Sequence, residues 1–103
     1  MNFVTATDFA AARAWDALPI AEIEGASLRL HWTDRPYVWH VNDGAEVFVV
    51  LAGAVEMRYR AGGAEHRRLM RPGDICHAGP GEEHVAHPQG AARVLVIEKT
   101  GSV

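Results

Sequence analysis

From Ile20 onward, the chain consists of short runs in which every second residue is apolar, with turn residues between the runs. This alternation is the pattern of β-strands that bury one face. The predicted strands cover residues 28–32, 37–41, 46–51, 55–60, 65–70, 75–78, 84–86 and 92–99. Strand 92–99 is apolar on both faces, which favours a central position in a sheet. Glycine and proline punctuate the closely spaced runs, and the pattern therefore predicts an all-β sandwich or small barrel.

The residues before these strands predict a short N-terminal helix or arm. Thr7 and Asp8 are residue types that cap helices, and the alanine-rich segment 9–15 that follows carries Trp15 as an apolar anchor. Pro19 is expected to end this helix, because proline cannot continue one.

Composition indicates an ordinary globular protein. The chain has 103 residues, of which 49% are hydrophobic and 22% charged, and we expect one domain over 1–103 with its core at about 25–99. The net charge of -3 excludes a basic nucleic-acid footprint, and no apolar run approaches the ~20 residues of a membrane span. The single cysteine, Cys76, excludes an internal disulfide and favours a reducing compartment, so the cytoplasm is the expected location.

Three polar side chains, His40, Asn42 and Glu46, flank a turn signal at residues 43–44. His40 and Asn42 share one face of a strand, because they are two residues apart. A two-residue turn would direct Glu46 away from His40, whereas a three-residue loop would pair Asn42 with Glu46 and bring all three side chains to one face. We prefer the three-residue loop, since it also places Glu46 on one face with the apolar residues two and four positions further on.

Two segments carry a specific spacing, His40-x-Asn42-x3-Glu46-x6-Gly53 and Gly73-Asp74-x4-Gly79-Pro80-Gly81-x2-His84. Together they resemble the two motifs of the cupin superfamily, above all those of the small single-domain cupins likened to phosphomannose isomerase. The usual first motif is His-x-His, three or four residues, Glu, six residues and Gly. The usual second motif is Gly, five residues, Pro-x-Gly, two residues, His, three residues and Asn. In this chain Asn42 replaces the second histidine, Gly79 the proline and Pro88 the final asparagine.

The resemblance implies a cupin-type jelly-roll barrel that binds a divalent metal, with Zn, Fe, Mn and Ni as candidates. Transferred residue by residue, it implies that His40, Glu46 and His84 are ligands. Asn42 would be a weak fourth ligand, because its amide oxygen is neutral. Three ligands and a water form a workable open site for these metals. The alternative is a metal-free barrel interior in which His40 is hydrogen-bonded to Asn42 and Glu46.

Further side chains are candidates for the same site, although no catalytic residue is assigned. His77 shares the parity of Ile75, and it could replace the missing histidine if that face is interior; otherwise it is a hydrogen-bonded wall residue. Tyr37, Trp39 and Phe48 are expected to line a cavity for a small ligand.

Two functions remain open. The first is a metal-dependent enzyme, such as a dioxygenase, isomerase or decarboxylase, that acts on a small polar molecule. The alternative is a metal-free module that binds or senses a small molecule. In either case we expect a homodimer, because small cupins commonly pair through their sheets and the apolar strands 46–51 and 93–97 would otherwise risk exposed edges.

Overall fold

The computed structural model describes residues 1–102, which form two antiparallel sheets preceded by a 3₁₀ turn at Ala6–Asp8. The strands are β1 (Ala17–Ile23), β2 (Ala26–Thr33), β3 (His40–Val41), β4 (Glu46–Ala52), β5 (Val55–Ala61), β6 (Ala64–Met70), β7 (Ile75–Ala78), β8 (Glu83–Pro88) and β9 (Ala92–Lys99). The first sheet has the order β1-β2-β9-β4-β7 and the second the order β3-β8-β5-β6. The all-β prediction and the central position of β9 are therefore confirmed.

The N-terminal segment is an arm rather than a helix over residues 9–15. The only helical element in residues 1–102 is the 3₁₀ turn, and the arm after it bonds to the sheet. Arg93 Nε donates to the carbonyl oxygen of Phe9 at 2.9 Å, and the Trp15 amide donates to Trp32 at 2.8 Å. These contacts take up backbone groups that a helix would have paired internally. Of the predicted helix or arm, the arm is confirmed.

The sheet begins at Ala17, earlier than the expected core boundary at about residue 25. Pro19 does not end a helix but lies inside β1, where the register shifts between Pro19 and Ala21. β1 is at the edge of its sheet. An edge strand tolerates a residue without an N–H group, which explains how proline is accommodated here.

The predicted hairpin between strands 37–41 and 46–51 is wrong. β3 pairs with β8, whereas β4 lies in the other sheet between β9 and β7. The backbone of Asn42 is bonded to the loop before β8, because its amide donates to Glu82 O at 3.1 Å and its carbonyl accepts from Gly81 at 2.9 Å. The chain thus crosses between the sheets at residues 42–45 instead of turning back. The expected sorting of β4 nevertheless holds, since Glu46, Phe48 and Val50 are all buried.

The apolar core lies between the two sheets and draws on both. It comprises Phe48, Val50, Val55, Met57, Met70, Ala78, Ala86, Ala92, Val94 and Val96. The motif glycine Gly53 follows β4 with φ +74°, and a Cβ atom there would clash with the carbonyl oxygen of Ala91. Both observations require glycine at this turn.

The edge argument for a homodimer is not supported, because β4 and β9 both lie inside the five-stranded sheet and β1 and β7 form its edges. No helix within residues 1–102 is long and apolar enough to cross a membrane.

Candidate metal centre

Three strands from both sheets bring His40, Glu46 and His84 together. The pairing of β3 with β8 places His40 directly opposite His84, and their ring centroids are 4.3 Å apart. Glu46, from the facing sheet, places Oε1 at 3.3 Å from His84 Nε2 and 4.0 Å from His40 Nε2. One potential ligand atom from each side chain lies within 4.8 Å of the others. This spacing is compatible with all three holding one metal ion.

Several polar atoms of this cluster are buried without a partner. Glu46 is 7% and His84 3% exposed. Glu46 Oε1, His84 Nδ1 and His84 Nε2 have no hydrogen-bond partner of acceptable geometry among residues 1–102. Leaving a buried polar group unpaired costs about 1–3 kcal/mol. These buried atoms are therefore available to bind a metal ion or another group that residues 1–102 do not supply.

The ring of His40 is oriented by its backbone. His40 Nδ1 lies 3.1 Å from the carbonyl oxygen of Val38, a contact that requires the Nδ1–H tautomer if the ring is neutral. In that tautomer Nε2 carries the lone pair on the side of Glu46. An orienting hydrogen bond on the other ring nitrogen is the usual arrangement for a histidine that binds a metal.

A second carboxyl group lies beside the cluster. Glu98 on β9 is directly opposite Glu46 on β4, and Arg29 Nη2 donates to Glu98 Oε1 at 2.8 Å. Burial and the neighbouring Glu46 carboxyl raise the pKa of Glu98 to about 7, although Arg29 acts in the opposite direction. For Glu46, burial favours the neutral acid, but contacts with His84 and Glu98 outweigh it and lower its pKa. Of the two acids, Glu46 is thus the one favoured as a carboxylate, the form that a metal ligand requires.

A cavity of about 230 Å³ opens next to the three side chains. Tyr37 and Phe48 contribute to its walls, as do the three candidate ligands. Trp39 is not part of the lining; its ring instead lies under the guanidinium of Arg60, 4.0 Å from the ring centre. The pocket-lining prediction for Trp39 is therefore incorrect.

The two additional ligand candidates point elsewhere. Asn42 is buried, but its Nδ2 donates to the carbonyl oxygen of Gly79 at 3.4 Å, and Asn42 does not line the cavity. His77 is exposed on β7 together with Ile75, which is 68% exposed. Ala78 is buried and Cys76 half-buried on the opposite face, where burial raises the pKa of the Cys76 thiol. His77 therefore does not replace the missing histidine.

Seven further residues line the cavity that the sequence did not indicate, namely Trp15, Arg29, His31, Ala86, Val96, Glu98 and Ser102. Arg29 and His31 alternate with the apolar residues of β2, so the cavity lies on the polar face of that strand. Burial lowers the pKa of His31, and the Trp15 carbonyl oxygen, 2.9 Å from its Nδ1, opposes that change. Glu98 could have been found from its parity, because it shares the inward face of β9 with Val94 and Val96.

No protein-family model matches the chain, and neither does any curated protein. Solved structures do match. A cupin-2 domain protein from Shewanella frigidimarina has a TM-score of 0.77 and 23% identity, over 86% of this chain and 84% of its own. A cupin superfamily protein from Desulfitobacterium hafniense has a TM-score of 0.73 and 15% identity, over 91% and 85% of the two chains.

Hydroquinone 1,2-dioxygenase in complex with Fe3+ also matches, with a TM-score of 0.77 and 18% identity. This match covers 87% of our chain but 29% of the dioxygenase chain. At these identities the likeness establishes the fold. The chain has the cupin fold, and the prediction of a cupin-type jelly roll is confirmed.

Proposed function

We propose that the protein binds a divalent metal through His40, Glu46 and His84, and a small polar ligand in the adjoining cavity. The observation that carries this proposal is the set of buried atoms without partners: Glu46 Oε1, His84 Nδ1 and His84 Nε2 are unpaired within residues 1–102. A metal ion bound by Glu46 Oε1 and His84 Nε2 would satisfy two of these three atoms at once. The proposal thus accounts for polar atoms whose burial is otherwise unfavourable.

The donor set suits a catalytic rather than a purely structural metal site. Two imidazoles and one carboxylate are ligands for Zn, Fe, Mn or Ni, and three protein ligands leave coordination positions open. When bound there, such a metal acts as a Lewis acid and lowers the pKa of a bound water. The cavity beside the cluster then provides space for a small molecule within reach of the open positions.

A metal-dependent enzyme is the first form of this function. The likeness to hydroquinone 1,2-dioxygenase in complex with Fe3+ supports it at the level of fold and metal use. The chain itself adds Glu98, a buried carboxyl directly opposite Glu46 that would be placed to hold or release a proton beside the metal. Arg29 orients the Glu98 carboxyl through its 2.8 Å contact.

The alternative to this proposal is a metal-free module that binds or senses a small molecule. The position of Asn42 favours it, because the amide is turned to Gly79 and contributes no fourth ligand in place of the family's histidine. The same cavity and the same polar side chains would then contact the ligand directly.

Elemental analysis of protein purified without an affinity tag or a chelator distinguishes the metal-dependent enzyme from the metal-free module. We expect close to one metal ion per chain in the wild type and in His66→Ala, which changes an exposed histidine on β6. His40→Ala and His84→Ala should each lose the metal. A wild-type protein that remains empty after dialysis against Zn, Fe, Mn and Ni would exclude the metalloenzyme.

We further propose that residues 1–103 act as one domain that forms a homodimer in the cytoplasm. The exposed side chains of Ile20 and Ile23 on the edge strand β1 support self-association. The single cysteine supports a reducing compartment. A monodisperse monomer in light scattering at micromolar concentration would contradict the dimer.

A further inference from the structure

The part of the cavity beyond the metal cluster is lined mainly by aromatic and aliphatic side chains. Trp15, Tyr37 and Phe48 supply the aromatic groups, and Ala86 and Val96 complete the apolar walls. Trp15 and Tyr37 meet edge to face, with ring centroids 5.4 Å apart. Apolar, aromatic walls around a few polar groups select a ligand with a flat apolar body.

Trp15 is held rigidly in this wall. Its backbone has φ +67°, in the left-handed region that bulky residues rarely adopt. Hydrogen bonds fix both ends of the residue: the amide donates to Trp32 O at 2.8 Å, and indole Nε1 donates to Arg35 O at 2.9 Å. Strained backbone persists where the surroundings over-determine it, and it clusters at ligand sites. A fixed wall also loses little freedom when a ring packs against it.

Arg29 provides the one permanently cationic side chain that lines this cavity within the described part of the chain. One of its donors, on Nη2, is bonded to Glu98, while Nε is buried and has no partner in residues 1–102. The side chain keeps 37% of its surface exposed, so part of its planar fork of donors remains open. Such a fork matches the geometry of a carboxylate.

We infer that the cavity binds a small planar aromatic carboxylate, whose ring packs against Trp15 and whose carboxylate is bound by Arg29. One arginine suits a monoanion better than a phosphate dianion, because the Glu46 carboxylate already opposes negative charge in the cavity. The inference rests on the proposed function in one respect. A metal cation at His40, Glu46 and His84 would offset this repulsion, and the metal-loaded protein therefore binds the anion more tightly than the metal-free protein.

The test uses benzoate, its neutral isostere benzamide, and the non-planar cyclohexanecarboxylate. Binding is measured by calorimetry and tryptophan fluorescence on full-length protein, once loaded with Zn²⁺ and once treated with chelator. We expect wild type to prefer benzoate over each of the other two molecules by about tenfold or more. Arg29→Gln should abolish the preference over benzamide, and Arg29→Lys should retain part of it. Trp15→Leu should abolish the preference over cyclohexanecarboxylate.

Matched controls separate these roles from general effects of the substitutions. Arg58→Gln changes an arginine on β5 that is paired with Glu56, and Trp39→Leu changes a tryptophan outside the cavity. Both should bind benzoate like the wild type. Circular dichroism of Arg29→Lys and Arg29→Gln verifies folding, since each change disturbs the pair with Glu98.

The outcomes distinguish the two proposals. Metal uptake is measured separately, and an absence of uptake overturns the proposed metal function. The carboxylate inference is overturned if the wild type binds benzoate and benzamide equally, or binds neither, and also if Arg29→Gln keeps the preference. If the protein takes up no metal, the chelated protein alone decides the carboxylate inference by the same comparison.

Discussion

The two ends of the sandwich interior are built from the same strands but differ in the chemistry of their inward side chains. β4 and β9 run antiparallel, so that Val50 lies opposite Val94 at one end and Glu46 opposite Glu98 at the other. All four side chains are buried, with exposures between 1% and 8%. The inward period of two residues is thus unchanged along both strands, while the chemistry of the inward positions changes from apolar to acidic.

What differs between the ends is the packing. At the apolar end, both sheets contribute side chains to one continuous cluster. At the polar end, polar atoms without partners border a cavity of about 230 Å³. A functional site commonly departs from the rules that stabilise the rest of the fold. We therefore expect substitutions at the apolar end to change the free energy of unfolding, and those at the polar end to change ligand binding and pH dependence.

The largest effect on stability is expected for Met57→Ala at the apolar end. Met57 is 4% exposed within the core cluster, and its truncation should lower the free energy of unfolding by about 2–5 kcal/mol. Metal content should not change. Leu69→Ala is the control, because Leu69 is 42% exposed on β6 and should cost far less. Urea denaturation measures the free energy of unfolding of both variants. Equal losses would contradict the expectation that the packed apolar end carries most of the stability.

At the polar end, Glu98 should make stability depend on pH. Its pKa is about 7 in the folded protein, above the ordinary value of 4.5 expected after unfolding. The unfolded chain therefore releases this proton first, and stability is lost as the pH rises from about 4.5 to 7, by on the order of 3 kcal/mol. The loss should be visible when metal-free wild type is compared with Glu98→Gln across this range. Parallel stability curves for the two proteins would show that Glu98 does not titrate as described.

A smaller effect on stability is expected for His84→Leu in the metal-free protein. The substitution removes two buried ring nitrogens that have no partner in the described residues. The free energy of unfolding should change by no more than about 1–2 kcal/mol, because removing the buried unpaired nitrogens offsets the loss of the His84 contact that lowers the pKa of Glu46. Metal uptake should be lost. His84→Ala separates polarity from packing, because it leaves a void and should lower the free energy of unfolding. A similar loss in His84→Leu would contradict the idea that the buried, unpaired ring nitrogens weaken the fold.

The inward faces at both ends could be predicted from sequence, because the two-residue period is a local property of the backbone. Glu46, Phe48 and Val50 share the buried face that this period predicts, although β3 pairs with β8 rather than with β4. Strand pairing, in contrast, depends on contacts between residues that are distant in sequence. Nothing in residues 42–45 reveals that the backbone of Asn42 will bond to residues 81 and 82 rather than close a hairpin.

The three candidate metal ligands and the rest of the cavity also differ in how far sequence predicts them. The spacing of His40, Glu46 and His84 predicts that they lie close together, because the motifs that they resemble carry information about a known three-dimensional arrangement. Trp15 and Arg29 belong to no motif, and their partners are remote in sequence. Arg29 is bonded to Glu98, which is 69 positions away. Trp15, which precedes β1, is bonded to Trp32 on β2. Such contacts become visible only when the sheets are assembled.

The smallest effect is expected for His77→Ala, which tests the boundary of the site. The parity of β7 could not decide which of its faces is interior, and the structure places His77 on the exposed one. An exposed residue without specific contacts usually changes stability by less than about 0.5 kcal/mol, and metal content should also be unaffected. Denaturation and elemental analysis measure the two quantities side by side. If His77→Ala released the metal as His84→Ala should, the ligand set would have to include β7, and the sheet register that turns His77 outward would be wrong.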